Sequence, residues 1–140
     1  MKDKFFLDTN IILYSFDKKD MRKKQIASDL IQKGLVDGLG RLSFQVIQEF
    51  INVSTKGKIL TLKPEDILLY IQEILIPQCN IRPDIDFIIQ SLHLKNQYNY
   101  SFYDSMILCA ALAQDCSIIY SEDLHSGHKI KGLVIQNPFV

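Results

Sequence analysis

Lys4-Phe5-Phe6-Leu7-Asp8-Thr9-Asn10-Ile11-Ile12-Leu13-Tyr14-Ser15 holds a short apolar run, a carboxylate that halts it, and a second apolar group at helical spacing. A run of that length bounded by polar residues reads as a strand buried on both faces. Lys4–Leu7 is therefore expected to be extended, and Ile11–Ser15 to form a helical turn before the charged bend Asp17–Asp20. Outward from this stretch the alternation repeats. Met21–Lys33 carries Ile26, Ala27, Leu30 and Ile31 at helical spacing, with Gly34 placed to end the helix. Gly40–Ser43 reads as a strand and Phe44–Thr55 as a helix with Val46, Phe50 and Val53 on one side. Pro64 suits the first turn of a helix running to about Leu75, which Pro77 stops. A short strand is expected at Cys79–Ile81, and a helix over Asp84–Gln97 with Phe87, Ile88, Ile89 and Leu92 at helical spacing. Ser101–Gln114 is the most apolar helix, and Ser117–Tyr120 and Leu133–Ile135 are β-rich runs. Strands separated by helices give a three-layer α/β plan, a parallel sheet covered on both faces. Ligands of such sheets collect outside the carboxyl ends of the strands, which is where Asp8 stands.

Composition narrows the class. A chain of 140 residues with 47% apolar and 23% charged residues is expected to form one domain, 1–140, able to bury a core without metal or disulfide support. The longest stretch without a charged residue, Ser105–Gln114, is half of the ~20 residues a membrane span needs, so no membrane association is expected. Met1-Lys2-Asp3-Lys4 shows no secretory signal. Cys79, Cys109 and Cys116 are odd in number and lack a CxxC pair, which suits a reducing, cytoplasmic setting. Sixteen basic residues balance sixteen acidic ones, so only local patches can speak for a nucleic-acid partner.

Most of the acids lie in polar stretches and need only water. Four do not. Asp8 and Asp123 each end an apolar strand, the latter after Ser117-Ile118-Ile119-Tyr120-Ser121-Glu122, so both fall on one rim of a parallel sheet. On the Phe44–Thr55 helix, Glu49 lies about 60° from Val46 and borders the core stripe. Asp104 stands within the apolar stripe of its own helix, with Leu108 about 40° and Ala111 about 20° away. Each acid alone reads equally well as a cap, a turn residue or a solvated edge, and Asp104 after Ser101 resembles a capping box. All four together are harder to ascribe to capping. Two like charges about 4 Å apart repel by roughly 4 kcal/mol at an effective dielectric near 20. A divalent cation removes that penalty, and hard oxygen ligands suit Mg²⁺ or Mn²⁺. The chemistry implied is phosphoryl transfer or phosphodiester hydrolysis.

At these residues the sequence resembles the PIN-domain family, most closely the toxin ribonucleases of VapBC-type toxin–antitoxin pairs. The elements appear in family order along essentially the whole chain: Phe6-Leu7-Asp8-Thr9-Asn10, then Ser43-Phe44-Gln45-Val46-Ile47-Gln48-Glu49-Phe50, then Ser101-Phe102-Tyr103-Asp104-Ser105-Met106-Ile107, then Tyr120-Ser121-Glu122-Asp123-Leu124. The resemblance implies a Rossmann-like three-layer α/β/α fold with a parallel five-stranded sheet and the acids at its carboxyl edge. It matches Asp8, Glu49, Asp104 and Asp123 to the family's catalytic, metal-binding acids, and Thr9, Asn10 and Ser121 to the polar positions that support them. Glu122 is a second acid beside Asp123, and which of the two points inward stays open. Also implied are hydrolysis of RNA to 5′-phosphate and 3′-hydroxyl ends, Mg²⁺ or Mn²⁺ as cofactor, a small cognate antitoxin as partner, and a homodimer.

Cations for the RNA backbone are expected among Lys18, Lys19, Arg22, Lys23 and Lys24, and at Lys56 and Lys58. Tyr14, Phe16, Tyr100 and Tyr103 are candidates for stacking unpaired bases. His125-Ser126-Gly127-His128 reads as a loop rather than a metal site, and His93 as structural. Two rivals remain. A haloacid-dehalogenase-type phosphatase would use Asp8 as nucleophile, Ser43 as phosphate ligand and Glu122 or Asp123 on the metal, but that family wants a second Asp where this chain has Asn10. A PIN-like module without catalysis would bind RNA or a partner only.

Overall fold

The computed structural model describes residues 3–57, 60 and 62–140. Strand β1 (Lys4–Leu7) buries Phe5, Phe6 and Leu7 and runs through the middle of a five-stranded sheet of order β2-β1-β3-β5-β4. Four strands are parallel: β2 (Gly40–Arg41), β1, β3 (Cys116–Tyr120) and β5 (Leu133–Gln136). β4 (Lys129–Ile130) is antiparallel to β5, a two-residue edge strand absent from the sequence expectation. The three-layer α/β/α plan is therefore present, with a mostly parallel sheet. Register settles the site: Leu7 stands opposite Tyr120, and Tyr120 opposite Gln136. The residues that follow Leu7 and Tyr120 must leave the sheet on the same rim.

Among the described residues six α-helices connect and cover the strands: α1 (Thr9–Tyr14), α2 (Met21–Asp37), α3 (Phe44–Ser54), α4 (Pro64–Tyr70), α5 (Ile85–Tyr98) and α6 (Phe102–Ala113). Helix α2 does not end at Gly34. It continues to Gly38, which takes the left-handed conformation at φ +70° and donates its N–H to the Gly34 carbonyl. Gly34 serves packing instead: a Cβ there would lie 2.9 Å from Gly40 Cα and 2.7 Å from Gln78 Oε1. The predicted Gly40–Ser43 strand stops at Arg41 because Ser43 turns to cap α3, its Oγ accepting from Val46 N at 3.3 Å. Past α4 the chain continues through a π-helical turn, Ile71–Leu75, and a tight turn, Ile76–Gln78.

No strand forms at Cys79–Ile81. The Gln78 carbonyl accepts from Leu42 N at 3.0 Å, but Asn80 N is then taken by the buried side chain of Gln114, also at 3.0 Å, and the ladder ends. Helix α5 forms as expected but turns part of its apolar spacing to solvent. Ile88, Ile89 and Leu92 are 44–48% exposed, whereas Ser91 and Leu94 are buried. The small Ser91, whose hydroxyl bonds Phe87 O at 2.9 Å, lets α5 seat against α6 on that side. The core gathers Phe6, Leu7, Ile11, Ile12, Val46, Phe50, Leu108, Ile119, Leu133 and Ile135. Each such side chain contributes roughly 1.5–3 kcal/mol of burial. The three cysteines are free thiols, Cys109 and Cys116 buried and Cys79 half-buried. Among the described residues no helix is long and apolar enough to cross a membrane.

Candidate active site

Asp8 follows β1 and caps α1, its Oδ1 accepting from Thr9 N at 2.8 Å. Its other oxygen accepts from Ser121 Oγ at 2.7 Å, across from the end of β3. Ser121 Oγ in turn accepts from the backbone N–H groups of Asp123 and Leu124, both at 3.2 Å. Asn10 completes the brace: its Oδ1 accepts from Glu122 N at 3.0 Å, and its Nδ2 reaches Asp123 Oδ2 at 3.2 Å, Ser121 Oγ at 3.3 Å and Asp8 Oδ2 at 3.4 Å. The side chains of Asn10 and Ser121 thus tie the ends of two parallel strands and hold two carboxylates, whereas Thr9 reaches Asp8 through its backbone N–H alone.

Those two carboxylates and the acids of two helices share one cleft. A volume of about 460 Å³ is lined by Asp8, Glu49, Asp104 and Asp123, together with Thr9, Asn10, Gln45, Gln48, Asn52, Tyr103 and Ile107. No lysine or arginine is among them. Burial raises the Asp8 carboxyl to about 6; its bonds from Ser121 and Thr9 oppose the rise, and the charges of Glu49 and Asp123 add to it. Burial also holds Glu49 above the ordinary carboxylate range, opposed by Thr9 and Gln45 and reinforced by Asp104 and Asp123. The Thr9 hydroxyl lies near enough to Glu49 to act on it, yet outside good hydrogen-bond geometry, so Oγ1 is a buried polar atom without a partner. Among the described residues no three of His, Cys, Asp and Glu close into a tight cage. The acids face a common space rather than a common point.

Glu122 belongs elsewhere. Its two oxygens accept from Tyr14 Oη and Lys23 Nζ, each at 2.5 Å, and the Lys23 ammonium sits 4.6 Å over the Tyr14 ring and 5.4 Å from the Phe139 ring. Of the adjacent acids, Asp123 alone lines the acid cleft. A second cleft of about 590 Å³ shares Asn10 and Asp123 with the first and is lined also by Lys18, Lys19, Tyr14 and Glu122. Of the expected backbone-binding cations, Lys18 and Lys19 therefore adjoin the site, Lys23 is engaged with Glu122, and Arg22 is exposed on α2 and lines neither cleft. Lys56 is exposed beyond α3, and Lys58 lies outside the described residues.

The aromatic candidates separate in the same way. Tyr14 packs on Phe139, Phe16 on Phe50 and Tyr70, and Tyr100 on His128, whose Nδ1 its hydroxyl meets. Only Tyr103, 69% exposed, lines the acid cleft. Ser43, capping α3, lines a different pocket. The His125–His128 segment is a loop, and His93 is exposed on α5. Sequence reading missed Gln45, Gln48 and Asn52, although helical geometry places them about 40°, 100° and 60° to one side of Glu49; uncharged amides carried no signal until the acids fixed which side mattered.

The fold is similar to several solved structures. A toxin–antitoxin complex from Klebsiella pneumoniae is 18% identical, with 96% of this chain and 98% of that one covered at a TM-score of 0.64. VapC20 of Mycobacterium tuberculosis, a sarcin-ricin loop cleaving toxin, is 14% identical over 86% of this chain and 90% of that one, TM-score 0.61. FitAcB from Neisseria gonorrhoeae is 15% identical over 96% and 98%, TM-score 0.59. Comparison with curated protein sequences finds no match. The family model described as "PIN domain" matches residues 5–127, a span that takes in all four acids and the residues bracing them. The chain belongs to the PIN-domain family.

Proposed function

We propose that this chain is a divalent-metal-dependent endoribonuclease, the toxin of a toxin–antitoxin pair acting in the cytoplasm. One observation carries the reading: four acids from four separate segments line a single cleft, and no lysine or arginine is among its described lining residues. Like charges gathered at one cleft repel, and a cation relieves that repulsion; of the four only Asp8 is buried, while Glu49, Asp104 and Asp123 are exposed. The donor set is all oxygen, which fits Mg²⁺ or Mn²⁺; among the described residues no three of these acids stand close enough to ligate one ion directly, so waters would complete its shell. Asp8, Glu49, Asp104 and Asp123 would hold it, with the Thr9 hydroxyl as a further buried oxygen at hand. Bound there, the ion supplies charge neutralisation and Lewis acidity toward a phosphodiester.

The protein's own groups do the rest. Ser121 and Asn10 orient Asp8 and Asp123 from fixed backbone positions, so neither carboxylate has to search for its rotamer. Glu49, held above the usual carboxylate range, accepts the proton of the attacking water. Lys18 and Lys19, in the adjoining cleft, bind the phosphates of the incoming strand. Among the fold's neighbours, one is a toxin–antitoxin complex and another a toxin that cleaves the sarcin-ricin loop, which supports RNA as substrate and a small antitoxin as partner. A homodimer is part of the same proposal. The phosphatase alternative loses its phosphate ligand, because Ser43 caps α3 outside the acid cleft. The test is incubation of the purified chain with single-stranded RNA in Mn²⁺, in Mg²⁺ and in EDTA. Cleavage confined to the metal arms, with a melting temperature raised by metal, is expected. Intact RNA in all arms overturns the reading.

A further inference from the structure

The acids are only part of the cleft. Gln45, Gln48 and Asn52 stand on α3 beside Glu49, and Tyr103 stands in the first turn of α6 beside Asp104. Gln45 Nε2 donates to the Tyr103 carbonyl at 3.3 Å, which fixes α3 against the start of α6. Gln48 and Asn52 are exposed, and Tyr103 keeps 69% of its surface open, with only an edge contact to Phe102. Gln45 and Gln48 also line a small apolar pit of about 60 Å³ with Phe44, Ile81, Phe87 and Met106.

This wall is chemically unlike the lysine-lined cleft next to it. Phosphates call for cations, which are on the Lys18–Lys19 side. Unpaired bases call for a paired donor and acceptor beside a flat apolar face. A carboxamide offers both hydrogen-bonding roles without charge, so it neither repels the acids nor competes for a cation. The two clefts meet at Asn10 and Asp123. A strand crossing that junction has its backbone on one side and one base on the other.

Resting on the nuclease reading above, we infer that Gln48 and Asn52, with Tyr103 as stacking face, form a base-reading wall that selects the unpaired nucleotide beside the scissile phosphate; Gln45 positions it. The experiment maps cleavage sites on a randomised single-stranded RNA with the Mn²⁺-loaded protein and measures how RNA binding falls with salt. Gln48→Ala and Asn52→Ala are expected to flatten the nucleotide preference at one position by about tenfold while leaving the salt slope unchanged. Tyr103→Ala should weaken binding to all sequences by about tenfold, and Tyr103→Phe should retain it. Lys18→Ala or Lys19→Ala should lower the salt slope by about 1 and keep the preference. All these side chains are exposed, and melting temperatures check that each variant is folded. A wild-type protein that cleaves without preference, or a preference untouched by Gln48→Ala and Asn52→Ala, overturns the inference alone. A wild-type protein that cleaves no RNA overturns the nuclease reading and takes the inference with it.

Discussion

Asp8 and Glu122 flank the same pair of strand ends and meet opposite surroundings. Asp8 is buried at a cleft with no lysine or arginine among its described lining residues, and its carboxyl is driven up to about 6. Burial also pushes Glu122 upward, but Lys23 and Tyr14 outweigh it and leave Glu122 below the ordinary range. A carboxylate paired with a lysine holds the fold together; one held only by neutral donors at a strand's carboxyl end, with other acids facing it, is available for chemistry. Within one dipeptide, Asp123 lines the acid cleft while Glu122 turns to Lys23.

The comparison can be broken in several places. The largest effect is expected from Asp8→Asn or Asp104→Asn, each removing a charge the proposed ion needs. Loss of cleavage by roughly 10³-fold is expected in a gel assay under saturating Mn²⁺, since such ligands supply several kcal/mol of charge stabilisation. Activity at wild-type level in both variants would show that the acids are capping residues after all.

Next comes stability. Folding raises Asp8 from 3.8 to about 6, so the folded chain holds that proton more tightly than the unfolded one. Its favourable contribution is complete below about pH 4 and is lost as pH rises through about 6. At neutral pH and without metal, Asp8→Asn should therefore stabilise the protein, by about 1–3 kcal/mol in urea unfolding, and the gain should vanish near pH 4. A third effect follows from the same group. Metal affinity, read by calorimetric titration, should fall by up to tenfold per unit as pH drops below about 6, because the ligand must be ionised. Asp8→Asn should flatten that dependence. The smallest effect belongs to Glu122→Gln. A partly exposed ion pair at the surface is weak, so the melting temperature should move by no more than about 2 °C, and less at high salt.

How much of this was legible depends on what kind of signal each residue carries. Strand–acid junctions were readable because an apolar run ending in a carboxylate is a local pattern, and Phe6-Leu7-Asp8 and Tyr120-Ser121-Glu122-Asp123 both show it. The choice between Glu122 and Asp123 was not local, because Lys23, the residue that decides it, lies on another element 99 positions away. Gly34 misled for a similar reason. A glycine near a helix end reads as a stop signal, whereas here Gly40 and Gln78 approach from outside the helix. The α5 periodicity was real, but its Ile and Leu face points outward while Ser91 faces α6. Spacing tells which residues share a face, not which face meets a neighbour.

The Ser121 hydroxyl has a consequence of its own. Its oxygen accepts from two backbone amides, which fill both lone pairs, so its single hydrogen points toward Asp8. The dipole is set during folding, before any substrate arrives, and no rotation is left to be spent when charge builds up beside it. One small side chain thereby converts the pairing of two strands into a standing electric orientation at the mouth of the cleft.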